Sequence, residues 1–153
     1  MAKTTTLPFT QTITQIQQSL VNADSFVAAN GGTAPTNTKL LTTAGADGSV
    51  IKALTVASDD SGAKVLSFYT STDAGTTKYL IGSISVAAGA GVTSGTTLNS
   101  DVLANAYIVG LAQDQTGRPV ISLQANARLY VAVQTSAVTS GRTVHITGFQ
   151  EDY

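Results

Sequence analysis

From Thr38 onward, apolar and polar positions alternate in short runs separated by turn residues, the pattern of half-buried β-strands. Lys39-Leu40-Leu41-Thr42-Thr43 reads as a short strand closed by the turn Gly45-Ala46-Asp47-Gly48. Val50, Leu54 and Val56 then alternate with Ile51, Ala53 and Thr55, which predicts a strand with its larger apolar face on Val50, Leu54 and Val56. Ser58-Asp59-Asp60-Ser61-Gly62 is a turn, because Asp side chains accept local amide hydrogens and Gly62 supplies positive φ. Lys64–Thr70 returns as a strand, with Val65 and Tyr69 on one face and Leu66 and Phe68 on the other. Asp73-Ala74-Gly75-Thr76 turns the chain again, and Lys78–Val86 follows. Three consecutive strands on short loops predict an antiparallel meander.

The small-residue run Ala87–Gly95 opens a region where the period fades. Here the residues leave two readings open: a short helix over Val102–Ala106 capped by Ser100 or Asp101, or a strand at Tyr107-Ile108-Val109. Alternation resumes around the turn Asp114–Pro119, through Val120–Leu123, through Leu129, Val131 and Val133, and again at Val144 and Ile146 after Gly141. A chain of about eight or nine strands, spaced by roughly 8 to 15 residues, is an all-β antiparallel sandwich or jelly-roll-like single domain.

Residues 1–34 are patterned differently, with Thr and Gln dominant and apolar residues sparse. Ile13, Ile16 and Leu20 carry helical spacing, yet Ile13 also alternates with Thr12 and Thr14, so helix and strand are equally open there. Pro8 pushes Leu7 into an extended conformation. The division expected is an extended N-terminal arm over residues 1–18 and a sandwich domain over 19–153. The residues leave open a frayed terminus or an arm ordered by contact with a neighbour, and on the second reading Leu7, Pro8, Phe9, Ile13 and Ile16 are the candidate partner-binding anchors.

Composition narrows the chemistry. The chain has 153 residues, a formal net charge of −1, only 11% charged residues, one His and no Cys. Eight basic residues spread along it offer no footprint for nucleic acid, and no apolar run approaches the roughly 20 residues that span a bilayer. The opening residues lack the apolar centre of a secretory signal. Without Cys there is no thiolate nucleophile or thiolate metal site. A Ser/His/Asp arrangement would hang on His145, which the alternation places on the solvent face of a late strand. Asp47, Asp59, Asp60, Asp73 and Asp114 sit beside Gly or Ser in turns, which accounts for them without catalysis. Asp59-Asp60 as a hard-cation site lacks the alternating acidic pattern of a calcium loop. Gly89–Gly95 is not followed by the Lys-Ser or Lys-Thr of a phosphate-binding loop. The expectation is a protein without catalytic residues, metal or cofactor that acts by contact, since neutral polar groups are cheaper to desolvate than ions.

The runs Ala29–Leu41 and Ala44–Leu54, the later Leu111–Leu123 and the ending Gly141–Gly148 resemble the capsid decoration, or cement, proteins of tailed bacteriophages. The resemblance covers residues 29 to 153 and rests on turn-and-strand signatures. It implies a structural virion protein made in the host cytoplasm and carried on the capsid surface. Its partner there would be the major capsid protein, and its own state a homo-oligomer, a trimer more often than a dimer or monomer. It also implies an N-terminal arm that lies on the capsid or pairs with its sheets, with no active-site residues. The alternative is another virion component: a tail part, a head-fibre base or a receptor- or glycan-binding module. On the arm reading, removing residues 1–18 weakens capsid binding and leaves the fold intact.

Overall fold

The structure, a computed structural model, describes residues 12–24, 36–92, 102–104, 112–134 and 136–153. Among these it holds nine strands: β1 (Thr12–Val21), β2 (Lys39–Thr43), β3 (Ser49–Ser58), β4 (Lys64–Ser71), β5 (Tyr79–Val86), β6 (Ala112–Gln113), β7 (Pro119–Leu123), β8 (Arg128–Gln134) and β9 (Thr143–Asp152). One sheet has the order β1-β9-β3-β7-β6, the other β2-β8-β4-β5, and every pairing is antiparallel. The pairs β1·β9, β2·β8, β3·β7 and β4·β5 nest inside one another along the chain and alternate between sheets. A long antiparallel hairpin rolled up in this way is a jelly roll. The all-β sandwich expected from the strand spacing is therefore present, and its topology is resolved.

The two sheets meet through the inward residues of alternating strands. Ile16, Leu20, Leu54, Val56, Val144 and Ile146 come from one side, and Leu66, Phe68, Ile84, Val86, Leu129, Val131 and Val133 from the other, all buried in one cluster. Each such side chain contributes about 1.5–3 kcal/mol relative to exposure, which is what drives the sheets together. Polar groups also bridge them. Gln150 of β9 is buried; its Oε1 accepts from Thr42 Oγ1 of β2 at 2.6 Å, and its Nε2 donates to the Thr43 carbonyl at 3.1 Å. Asp152 closes the same corner, accepting from Gln150 Nε2 at 2.9 Å, from Thr14 Oγ1 at 3.0 Å and from Ser49 Oγ.

Three expectations change. The meander is only half present: β4 and β5 pair as a hairpin, whereas β3 lies in the opposite sheet. The reason is that Leu54 and Val56 of β3 and Leu66 and Phe68 of β4 are all buried in the one core between the two sheets, to which each sheet contributes its inward face. Second, Ile51 is fully buried in the core instead of sharing a face with Ala53 and Thr55. The register of β3 against β9 steps from Ile51↔Gln150 to Ala53↔Phe149, so Lys52 is an extra residue and the inside/outside phase flips there. Val50 is accordingly on the outer side of its sheet.

The third concerns the arm. Thr12–Val21 pairs with β9 along its whole length, from Thr12↔Asp152 to Val21↔Thr143. The boundary expected at residue 18 falls inside this strand, and residues 12–18 belong to the sheet. Leu7, Pro8 and Phe9 lie outside the described residues, as do the Tyr107–Val109 segment and the runs 25–35 and 93–101. Of the region with two readings, Val102 and Leu103 are described: they are buried in a turn, with Val102 N–H bonded to the Leu54 carbonyl at 3.0 Å.

Candidate docking face

Strand parity decides what the outer face of the β1-β9-β3 sheet presents. Because even-numbered residues of β1 and β9 point inward, Ile13, Gln15, Gln17, Ser19 and Val21 stand outward beside Glu151, Phe149, Thr147, His145 and Thr143. The next strand adds Ala53, Thr55 and Ala57. This surface is open and nearly free of charge. Ile13 is 69% exposed and Phe149 38%, and they are diagonal neighbours on the ladder, close enough for an aromatic ring to reach across. Thr55 and Thr147 share a hydroxyl–hydroxyl bond of 2.7 Å. The carboxylate on the face, Glu151, is neutralised by Lys52 at 2.5 Å, and that pairing raises the Lys52 pKa despite the opposing effect of burial.

The five candidate anchors thus divide. Ile13 is on this face. Ile16, three residues on, is 1% exposed and packs in the core, so it holds the sheet to its partner instead of a neighbour to the protein. The other three are not described. Phe149 and the outward Gln15 and Gln17 were not singled out from the sequence. Phe149 was within reach, since Val144 and Ile146 set the inward parity and a large apolar residue at an odd position must then face out.

His145 is exposed on the same face, and its Nδ1 lies 2.9 Å from Ser19 Oγ. In a Ser-His-Asp arrangement a carboxylate on the other ring nitrogen orients the imidazole. The nearby Asp24 is committed elsewhere: it takes the Lys39 ammonium at 3.1 Å and the Val21 N–H at 2.7 Å. Asp59 and Asp60, weighed above as cation ligands, are likewise occupied. Asp59 Oδ1 accepts the Thr143 N–H at 2.5 Å. Asp60 is fully buried; it accepts from Thr139 N–H at 2.7 Å, Thr139 Oγ1 at 2.9 Å and Gly62 N–H at 2.9 Å, and pairs with Lys64 at 3.4 Å. Burial opposes its charge, but these donors and the Lys64 ammonium outweigh burial and hold its pKa down at about 2. Among the described residues, no three His, Asp or Glu side chains gather as a metal site.

Beside the face, a depression of about 490 Å³ lies over Val50, Lys52, Val120, Glu151 and Tyr153. Asp114 on its rim accepts from Thr116 N–H, Thr116 Oγ1 and Arg118 N–H at 2.7–2.9 Å, which lowers its pKa, Thr116 being the main cause. That carboxylate is therefore consumed by its own turn.

Comparison with known proteins places the chain in no family: no family model matches it, and no curated protein does. Among solved structures, a chain from the structure of infectious bursal disease virus, Gt strain, overlaps 92% of this chain and 42% of its own length, at 17% identity and a TM-score of 0.24. A superposition that loose carries no argument about fold or function. Among the described residues, no helix is long and apolar enough to cross a membrane.

Proposed function

We propose that this chain is a structural virion protein, a decoration or cement protein that sits on the outer surface of a tailed-phage head and fastens neighbouring major capsid proteins. The supporting observation is the open outer face of the β1-β9-β3 sheet, where Ile13 and Phe149 are exposed among Gln, Thr, Ser and Ala and the main ion pair is already self-neutralised. Such a face buries against another protein without stranding ions, the costly event in desolvation. The sequence resemblance to decoration proteins points the same way. Each copy would gain about 25 cal/mol for every Å² of apolar surface it removes from water, less the cost of association. Copies repeated over a shell make a modest clamp collectively strong.

The test is co-sedimentation of the purified protein with undecorated, expanded heads at micromolar concentration. Binding is expected, and Ile13→Glu combined with Phe149→Glu weakens it at least tenfold while the far-ultraviolet spectrum stays unchanged. No binding to heads removes the reading, and binding to isolated tails alone transfers it to another virion component. The arm is probed by removing residues 1–11. Removing 1–18, which the sequence suggested would spare the fold, takes away all of β1 but Ser19, Leu20 and Val21 and takes Ile16 out of the core.

A further inference from the structure

We infer that the free edge of β1 is a two-fold interface, at which β1 pairs antiparallel with β1 of a second copy of this chain. The inference is independent of the capsid reading. Sheets usually defend their edges with short strands, charges, prolines or bulges. Among the described residues, three of the four edge strands do so. β6 has two residues, β2 begins with Lys39 and is bulged between Leu40 and Thr42, and β5 is paired through a register shift between Phe68 and Tyr69. β1 has ten residues, no charge, no proline and an uninterrupted register with β9, and among the described residues no strand pairs with its other side.

The backbone identifies which part of that edge is open. In an antiparallel strand the N–H and C=O of one residue point to the same side. The Ser19 carbonyl is turned away from β9, toward Lys39 Nζ at 2.7 Å, and the Val21 N–H is turned away from β9, toward Asp24 Oδ2 at 2.7 Å. The odd-numbered residues therefore face the free edge. Lys39 and Asp24 stopper it at Ser19 and Val21, which leaves Ile13, Gln15 and Gln17 with outward amide and carbonyl groups. This span is symmetric about Gln15. A two-fold axis through Gln15 sets Ile13 opposite Gln17 of the second copy, Gln15 opposite Gln15, and Gln17 opposite Ile13, each a pair that exchanges both N–H···O bonds.

Side-chain chemistry selects a second copy as the occupant. A Gln amide carries donors and an acceptor, so Gln15 can bond to its own image, and no like charges meet anywhere along Thr12–Val21. On the outer side the exposed Ile13 comes to lie against the aliphatic stem of Gln17. The interface is isologous, as a two-fold contact requires.

The full chain, followed by sedimentation equilibrium from about 1 to 100 μM, is expected to associate as a dimer. Gln15→Lys sets two ammonium groups opposite each other and weakens the dimer at least tenfold. Gln15→Glu does the same, and an equimolar mixture of the two variants restores association. Because Gln15 is an exposed side chain, circular dichroism is expected to show both variants folded. A chain that stays monomeric throughout, or an assembly of any size that neither charge variant weakens, overturns the inference. So does failure of the mixture to recover.

Discussion

Asp60 shows how a turn residue becomes a tertiary fastener. One oxygen accepts the Gly62 N–H two residues on, an ordinary Asx turn, while both reach Thr139 on the far side of the sequence. Since its pKa falls from 3.8 to about 2 on folding, the unfolded chain takes up a proton that the folded chain refuses. The stabilisation is therefore complete above about pH 4 and is lost as pH falls through 2. Asp73, held at about 2 by the Thr77 side chain and amide and by Ser71, contributes with the same sign. The urea midpoint is expected to drop between pH 5 and 2, and Asp60→Asn should make that drop shallower; an unchanged pH slope would contradict the assignment. Asp60→Ala also strands the buried Lys64 ammonium, at a cost of about 3–5 kcal/mol. The turn role of Asp60, Asp73 and Asp114 was legible in the sequence because Gly, Ser or Thr stands within four positions. The Thr139 contact was not, because nothing local marks a partner that distant.

At the scale of elements, β1 and β3 show where alternation misleads. Ile16 and Leu20 are four apart, a spacing that places two residues on one face of a helix and equally on one face of a strand. Thr and Gln around them favour neither strongly, and pairing with β9 decides the matter. In β3 the period-two pattern breaks at Lys52, and one inserted residue is enough to move Ile51 from the face it shares by parity with Ala53 into the core. By contrast Leu66 and Phe68, or Leu129, Val131 and Val133, lie in uninterrupted stretches and were assigned correctly from alternation alone. The division within β1 is open to a paired measurement. Ile16→Ala is expected to cost about 2–5 kcal/mol in denaturant unfolding. Ile13→Ala, at an exposed site, should stay within about 0.5 kcal/mol. Equal losses would mean that the strand faces the other way.

For the whole molecule, strand content and turn positions were readable, and the order of strands was not. The roll brings residues together that lie far apart along the chain, as in Thr12↔Asp152, Lys39↔Val131 and Ser49↔Leu123. No local signal encodes such partners. The docking face was legible only in outline, as a charge-poor surface, because it is assembled from three strands that lie far apart along the chain. The same non-local pairing makes refolding slow: stopped-flow measurements are expected to give milliseconds to seconds, the range of all-β topologies, and a microsecond phase carrying the full amplitude would be incompatible with the roll.

The placement of β9 between β1 and β3 has a consequence for biosynthesis. Nearly everything upstream must leave the ribosome before residues 143–152 can slot in between them. Until then the first strand has no seat, and the nascent polypeptide waits with two sticky flanks uncovered. A product stalled or terminated before residue 143 would therefore be prone to clump, because β1 and β3 keep the edges that β9 covers open until it emerges.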